Sequence, residues 1–368
     1  MRRCLNILAS LMILFTAVSC SKELDFGFKD LCLYHPHTAP VQINVDWSKF
    51  NHIEKPTGMT IYTWPHSEDE DMQKFLTHDL SHITLNLKAG KFNAFVFNQS
   101  DTEYSTLEFH NLESFDLAEV RVRQTKASSW YKTKDDDTRV GDTPEWFALD
   151  CLRDIEVTEE MVEIAEKEYL ASFHAGRRGA VFQNELATLQ PRSIIKSIDI
   201  YIHLERVPFL RSALGALEHM AEGCYISTGK TTEREVTHTT DKWELIFEKD
   251  ENGKENVMNG AIKTTISTFG LPSTHTGKPE DTNLYVKLLL VDNETILTMN
   301  FPLGEILANL NSIDGSNVDK NGKAIWPEVH VYWPEPLPEV QPVGSGNGGF
   351  NVGVGDWGDE VVTVLPVL

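Results

Sequence analysis

Val41-Gln42-Ile43-Asn44-Val45-Asp46-Trp47 alternates apolar and polar side chains at period two. A strand points successive side chains to opposite faces, so this pattern makes one apolar face and one wet face. The same grammar repeats outward. Pro56-Thr57-Gly58 reads as a turn, and Met59 to Trp64 as a second strand stopped by Pro65. An acidic loop follows at Ser67 to Asp71. Ile83 to Leu87 is a third strand, closed by Ala89-Gly90, and Lys91 to Asn98 (KFNAFVFN) is a fourth. Short strands punctuated in this way predict an antiparallel sandwich.

Residues 105–125 continue as strand, most clearly at Val120 to Arg123, before a charged stretch at Lys132 to Asp142. Near Thr158 the period changes. Val162, Ala165, Tyr169 and Phe173 fall at helical spacing, Glu159 and Glu160 stand where acids complement the helix dipole, and Gly176 lies past the end. One helix is expected, over 158–174. A second strand-rich block starts near Arg192. Ile194 to Leu204 alternates over its second half, Leu210 to Gly223 reads as a short helix or a loop, and Tyr225 to Thr228 as a short strand. Strands follow at Lys242 to Glu248, Lys263 to Phe269, Leu284 to Val291 and Ile296 to Phe301. Asp250 to Gly253 reads as a turn, and Asp292-Asn293-Glu294 as a hairpin turn. A Pro-rich link after Trp333 leads to Gly344 to Gly349, and the end has strand character at Val361-Val362-Thr363-Val364-Leu365. The pattern predicts a mainly β protein: two antiparallel β-sandwich domains in tandem, with one short helix inserted. The N-terminal sandwich would span 41–185 and the C-terminal one 190–343, with a glycine-rich link and last strand at 344–368.

The N-terminus has its own logic. Arg2 and Arg3 precede a mostly apolar run, Leu5 to Val18, which ends in Ala17-Val18-Ser19-Cys20. Positive start, short apolar run and small-residue ending make a secretory signal over 1–19. A Cys just after Ala-Val-Ser has the form of a lipobox, so Cys20 is the expected lipidation site, with 20–40 forming the tether and the start of the first domain. Acyl chains hold a protein to a bilayer additively, at about 0.8 kcal/mol per buried methylene. No later run is apolar enough to cross a membrane.

The 368 residues carry a formal charge of −22, which argues against nucleic acid and against charge-driven binding to anionic headgroups. Once Cys20 is acylated, Cys32, Cys151 and Cys224 cannot all pair. Either a Cys32–Cys151 bridge or buried free thiols are compatible with the spacing. The chemical motifs are weak. Gly344, Gly346 and Gly349 fit G-x-G-x-x-G, but follow a Pro-rich link instead of a strand. Gly229-Lys230-Thr231 resembles the end of a phosphate loop, yet Cys224 stands where its first glycine belongs. His35 and His37 flank a proline without a metal-ligand spacing, and Asp135-Asp136-Asp137 lacks the glycine and terminal glutamate of a calcium loop. No G-x-S-x-G occurs. No catalytic residue, metal or cofactor is therefore expected, and surface, scaffold and adhesion roles stand ahead of catalysis.

Lys29 to His37 (KDLCLYHPH), followed by Val45-Asp46-Trp47, Pro56 to Met59 and Gly90 to Ala94, resembles the fimbrillin-like lipoproteins of the Bacteroidales, in a subgroup defined only as a domain of unknown function. Ser212-Ala213-Leu214, Met220 to Gly223, Thr228-Gly229, Thr268-Phe269-Gly270 and Gly348 to Val352 with Asp356-Trp357 agree with it. The resemblance implies sandwiches of transthyretin-like type and a structural or adhesive role (shaft, anchor or tip) in type V pili built by strand addition. It also implies lipid anchoring to the outer membrane, exposure at the cell surface or in fimbriae, and other pilus subunits as partners, with a host or bacterial receptor beyond them. Val361 to Leu365 would be the donor strand. Glu23 and Asp25, just after Cys20, suit export to the surface in these bacteria. A surface lipoprotein that captures glycans is the alternative, and an exposed aromatic patch with polar neighbours would favour it.

Overall fold

The computed structural model describes residues 37–50, 55–67, 71–125, 131, 139–174, 184–249, 253–313, 315, 318–320 and 324–343. The strands of the first half are β1 (Ala39–Val45), β2 (Met59–Pro65), β3 (Gln73–Thr77), β4 (His82–Leu87), β5 (Gly90–Asn98), β6 (Leu107–His110), β7 (Glu119–Val122), β8 (Val140–Gly141), β9 (Ala148–Val157) and β10 (Asn184–Leu189). Those of the second are β11 (Arg192–Ser193), β12 (Lys196–Glu205), β13 (Leu210–Ala221), β14 (Gly223–Tyr225), β15 (Glu235–Thr240), β16 (Glu244–Lys249), β17 (Glu255–Thr268), β18 (Asn283–Leu290), β19 (Ile296–Pro302) and β20 (Glu328–Tyr332). The helices are α1 (Glu159–His174) and the single turn α2 (Gly304–Leu307).

The chain divides into two compact units. The smaller comprises 1–42, 84–91 and 156–186, and the larger comprises 43–83, 92–155 and 187–368. Helix α1 belongs to the smaller unit and begins one residue inside the expected range. The Thr158 hydroxyl accepts from the Met161 N–H at 3.3 Å, capping a first turn that holds Glu159 and Glu160. One three-stranded sheet runs β10-β1-β4.

Two β-sandwiches, as the alternation predicts, have their cores wholly inside the larger unit. The first packs the sheet β11-β9-β5-β2-β3 against β14-β7-β6. β2 and β5 are interior strands, and their apolar runs are buried on both faces. Their side chains form an aromatic core in which Trp64 lies 4.4 Å from Phe95 and Phe97 lies 5.2 Å from Phe109, centroid to centroid. Polar tips of the buried rings are satisfied. Trp64 Nε1 donates to Leu112 O at 2.9 Å and Tyr62 Oη donates to Asp101 at 3.0 Å. The second sandwich faces β16-β17-β12-β20 with β19-β18-β13-β15-β8. Its core is aliphatic: Ile198, Ile200 and Ile202 of β12 meet Leu217, Leu284, Val286 and Leu288 of the facing sheet, all fully buried.

Two strands change sandwiches. β14, from the second half of the sequence, pairs with β7, while β8, from the first half, lies parallel to β15. The exchange crosses the expected limits at 185 and 190.

One expectation is overturned. Leu210 to Gly223 is neither helix nor loop, since Leu210 to Ala221 is β13, flanked by β18 and β15. As an interior strand it buries Ala213 to Leu217 on both faces, which erases the alternation. Gly215 is required here, because a Cβ would stand 2.7 Å from Trp243 Cζ2. Tyr225 to Thr228 is also corrected: the strand is Gly223–Tyr225, and the chain then turns. Cys151 and Cys224 are free thiols, and Cys151 Sγ donates to Ser227 O at 3.3 Å.

Candidate functional site

Cys20 and the strand Val361, Val362, Thr363, Val364, Leu365 lie outside the described residues, as do Cys32, His35, Asp135 to Asp137 and the glycines from 344. Among the described residues no group of three or more His, Cys, Asp or Glu is arranged to hold a metal, and no helix is long and apolar enough to cross a membrane. What the structure offers is an exposed sheet whose two edge strands are unpaired on their outer sides among the described strands and, within the first sandwich and its junction with the second, a buried ionic clamp.

The sheet β16-β17-β12-β20 covers its inner face with the aliphatic core and leaves its outer face to solvent. β20 runs parallel to β12, with Tyr201 opposite His330 and His203 opposite Tyr332. These four side chains share the outer face, because residues two apart on a strand point the same way. Tyr201 stacks on His330 at 4.6 Å and His203 on Tyr332 at 4.5 Å. His203 Nε2 and His330 Nδ1 are 3.0 Å apart, so one ring carries the shared proton and the other accepts it. Burial, and after it the neighbouring His330, lower the pKa of His203. Beside them Lys263 Nζ sits 5.0 Å over the Tyr201 ring and pairs with Asp199 at 2.8 Å. Tyr332 is 69 % exposed.

At the far edge, β16 pairs only with β17 among the described strands. Leu245 and Ile246 on β16, and Val257 and Met258 on β17, are all exposed. Adjacent residues on a strand face opposite ways, so this hairpin shows apolar groups on both faces. An edge strand also presents free N–H and C=O groups, which is the chemistry of strand addition.

The clamp centres on Glu222 and Glu119, both nearly buried. Glu222 accepts from Arg139 Nη1 at 2.7 Å, Arg234 Nε at 2.7 Å and Gln124 Nε2 at 3.1 Å. Glu119 accepts from Arg121 Nε at 2.7 Å and from Arg234 Nη2. Burial pushes the Glu222 carboxyl up, but the hydrogen bonds from Arg139, Gln124 and Arg234 outweigh it and hold the pKa below the ordinary value. The clamp fastens β7 and β14 to the segments leading into β8 and β15. No motif in the sequence announces it, since its charges come from four separate stretches. Its chemistry is structural: every carboxylate is already occupied.

The fold is similar to that of a candidate adhesin from Bacteroides ovatus, with TM-score 0.50 and 11 % identity over 82 % of this chain and 94 % of that one. Weaker likenesses are a candidate adhesin from Bacteroides thetaiotaomicron (TM-score 0.45, 12 % identity, 80 % of this chain and 92 % of that one) and the fimbrial anchor protein of Porphyromonas gingivalis (TM-score 0.41, 13 % identity, 80 % and 90 %). No curated protein matches. A family model matches residues 19–241, well over half the chain, so the protein belongs to the family described as Domain of unknown function (DUF5119).

Proposed function

We propose that this chain is a cell-surface lipoprotein that serves as a structural or adhesive subunit of a type V pilus, held to the outer membrane through Cys20. The observation that carries the reading is the apolar edge at β16 and β17, which no other described strand covers. An exposed strand bearing Leu245 and Ile246 is an aggregation hazard unless a partner covers it. A strand such as Val361 to Leu365 from another subunit would cover it, with main-chain hydrogen bonds supplying affinity and alternate side chains supplying register. The adhesin-like fold and the family match beginning at the lipobox support the same reading.

Two measurements test it. Cys20→Ala should move the protein from the membrane fraction to the soluble fraction and abolish labelling by a radioactive fatty acid. Limited trypsin digestion of the processed protein should then yield SDS-resistant multimers, which Ile246→Lys or removal of 361–365 prevents. An unlabelled wild-type chain refutes the anchor, and a monomer that stays intact under trypsin refutes the polymerising subunit.

A second reading, glycan capture at the surface, is favoured by the Tyr201, His330, His203 and Tyr332 array with Lys263 and Asp199 beside it. Tyr332→Ala should abolish retention on a glycan array if that face binds sugar, and unchanged retention rules out that face as the sugar site.

A further inference from the structure

A cavity of about 520 Å³ opens beside β11 in the larger unit, within the usual size range of small-molecule sites. Its wall comes from Leu149, Ile194, Ile226 and Phe269, all apolar and three of them buried. Arg192 and Lys230 stand among the lining residues with their side chains exposed, and among the described residues neither makes an ion pair. The lining carries Arg192, Lys196 and Lys230 against one carboxylate, Asp150, whose oxygens already accept from the Cys151 and Gln190 N–H groups, so the concavity is net positive in a chain of charge −22. The hydroxyls of Thr231 and Ser273 also line it, and neither has a hydrogen-bond partner among the described residues. Lys196 adds buried positive charge, with its Nζ donating to Ile313 O at 2.6 Å.

Lys230 belongs to the Gly229-Lys230-Thr231 stretch that resembles a phosphate loop, and the structure shows that the stretch does not form one. Phosphate loops cradle their anion with free backbone N–H groups. Here the Gly229 N–H donates to Tyr225 O at 2.7 Å and the Lys230 N–H to the Thr228 hydroxyl at 3.2 Å. Beside the engaged Asp150, the cavity offers two exposed side-chain cations, two hydroxyls and an apolar wall. That combination suits a ring with one carboxylate, several hydroxyls and a C–H face.

We infer that this cavity binds a hexuronic acid residue, with Arg192 and Lys230 holding its carboxylate, Thr231 and Ser273 its hydroxyls, and the Phe269 side of the wall its C–H face. The inference deepens the glycan reading of the proposed function but places the ligand away from the Tyr332 face, so the two can fail separately.

The test is titration calorimetry of the full chain from residue 21 with methyl glucuronide, methyl glucoside and inorganic phosphate. The glucuronide should bind, and the glucoside and phosphate should bind at least tenfold more weakly. Arg192→Gln and Lys230→Gln should each weaken glucuronide binding by about tenfold, the scale of a charge-assisted hydrogen bond. Both side chains are exposed, so the variants should melt at the wild-type temperature. Binding should also weaken with added salt. No glucuronide binding at millimolar concentration, equal binding of glucoside or phosphate, or insensitivity to both substitutions would each overturn the inference. Loss on Tyr332→Ala alone would overturn it in favour of the sheet face.

Discussion

Replacing Glu222 by glutamine removes one charge while keeping the side chain's shape. The carboxylate accepts three hydrogen bonds, two of them from guanidinium groups. Hydrogen bonds to charged groups contribute about 1.5–3 kcal/mol each and neutral ones about 1 kcal/mol, and the amide also turns one acceptor into a donor aimed at an arginine. Breaking a fully buried pair costs about 3–5 kcal/mol. The side chains of Arg139 and Arg234 are 42 % and 33 % exposed, so water takes over part of what they lose. The expected loss is therefore about 2–3 kcal/mol, below the fully buried figure. Urea unfolding at neutral pH should show it as a lower midpoint with an unchanged slope. The pH dependence gives a second signature. The folded-state pKa of Glu222 lies below its ordinary 4.5, so its contribution is complete above that value and is lost as pH falls through the depressed one. The gap between wild type and variant should close in acid. A loss within about 0.5 kcal/mol, the scatter of ordinary surface substitutions, would refute the clamp as a stabilising device. So would a gap that persists unchanged through acid.

Other outcomes follow from the same structure. His238 is fully buried, and burial lowers its pKa to about 4 while Gly141 and Asp142 backbone groups act the other way. Its neutral form favours the fold, so wild-type stability should fall between pH 6.5 and 4, and His238→Gln should flatten that slope in urea midpoints. Phe97, fully buried among Tyr62, Phe95, Tyr104, Phe109 and Phe147, should cost about 3–5 kcal/mol when cut to alanine, read by the same unfolding curves. A fragment starting at residue 190 leaves β15 without β8 and Glu222 without Arg139, and it should lack a cooperative unfolding transition. A sharp transition in that fragment would show that the strand exchange is dispensable.

The sequence shows elements with one wet face. Ile198, Ile200, Ile202 and Leu204 alternate in the chain and alternate in burial, and α1 declares itself through its apolar spacing and acidic first turn. It hides elements that are wet on neither face or on both. β13 reads ALGAL because both its faces are covered and Trp243 leaves room only for glycine at 215. The first part of β17, Glu255 to Met258, is exposed on both sides and carries no period at all. The Hairpin turn at Asp292 was legible because it is local: the carboxylate accepts from Glu294 N and Thr295 N. The aromatic array and the cavity were not, since each collects side chains from segments far apart in the chain.

That distance has a consequence for how the protein comes to exist. His203 and His330 meet across 127 residues, and Arg139 meets Glu222 across 83. Chains dominated by such remote pairings fold slowly, because loop-closure entropy is spent before the contacts that reward it can form. Neither sandwich can close until the sequence past β14 is present, and the second also waits for β20. On the proposed export route, a chain entering a translocation pore N-terminus first therefore stays threadable for most of its passage. On that proposed route, its remote strand pairings would keep it a substrate for secretion until the last strands emerge on the far side.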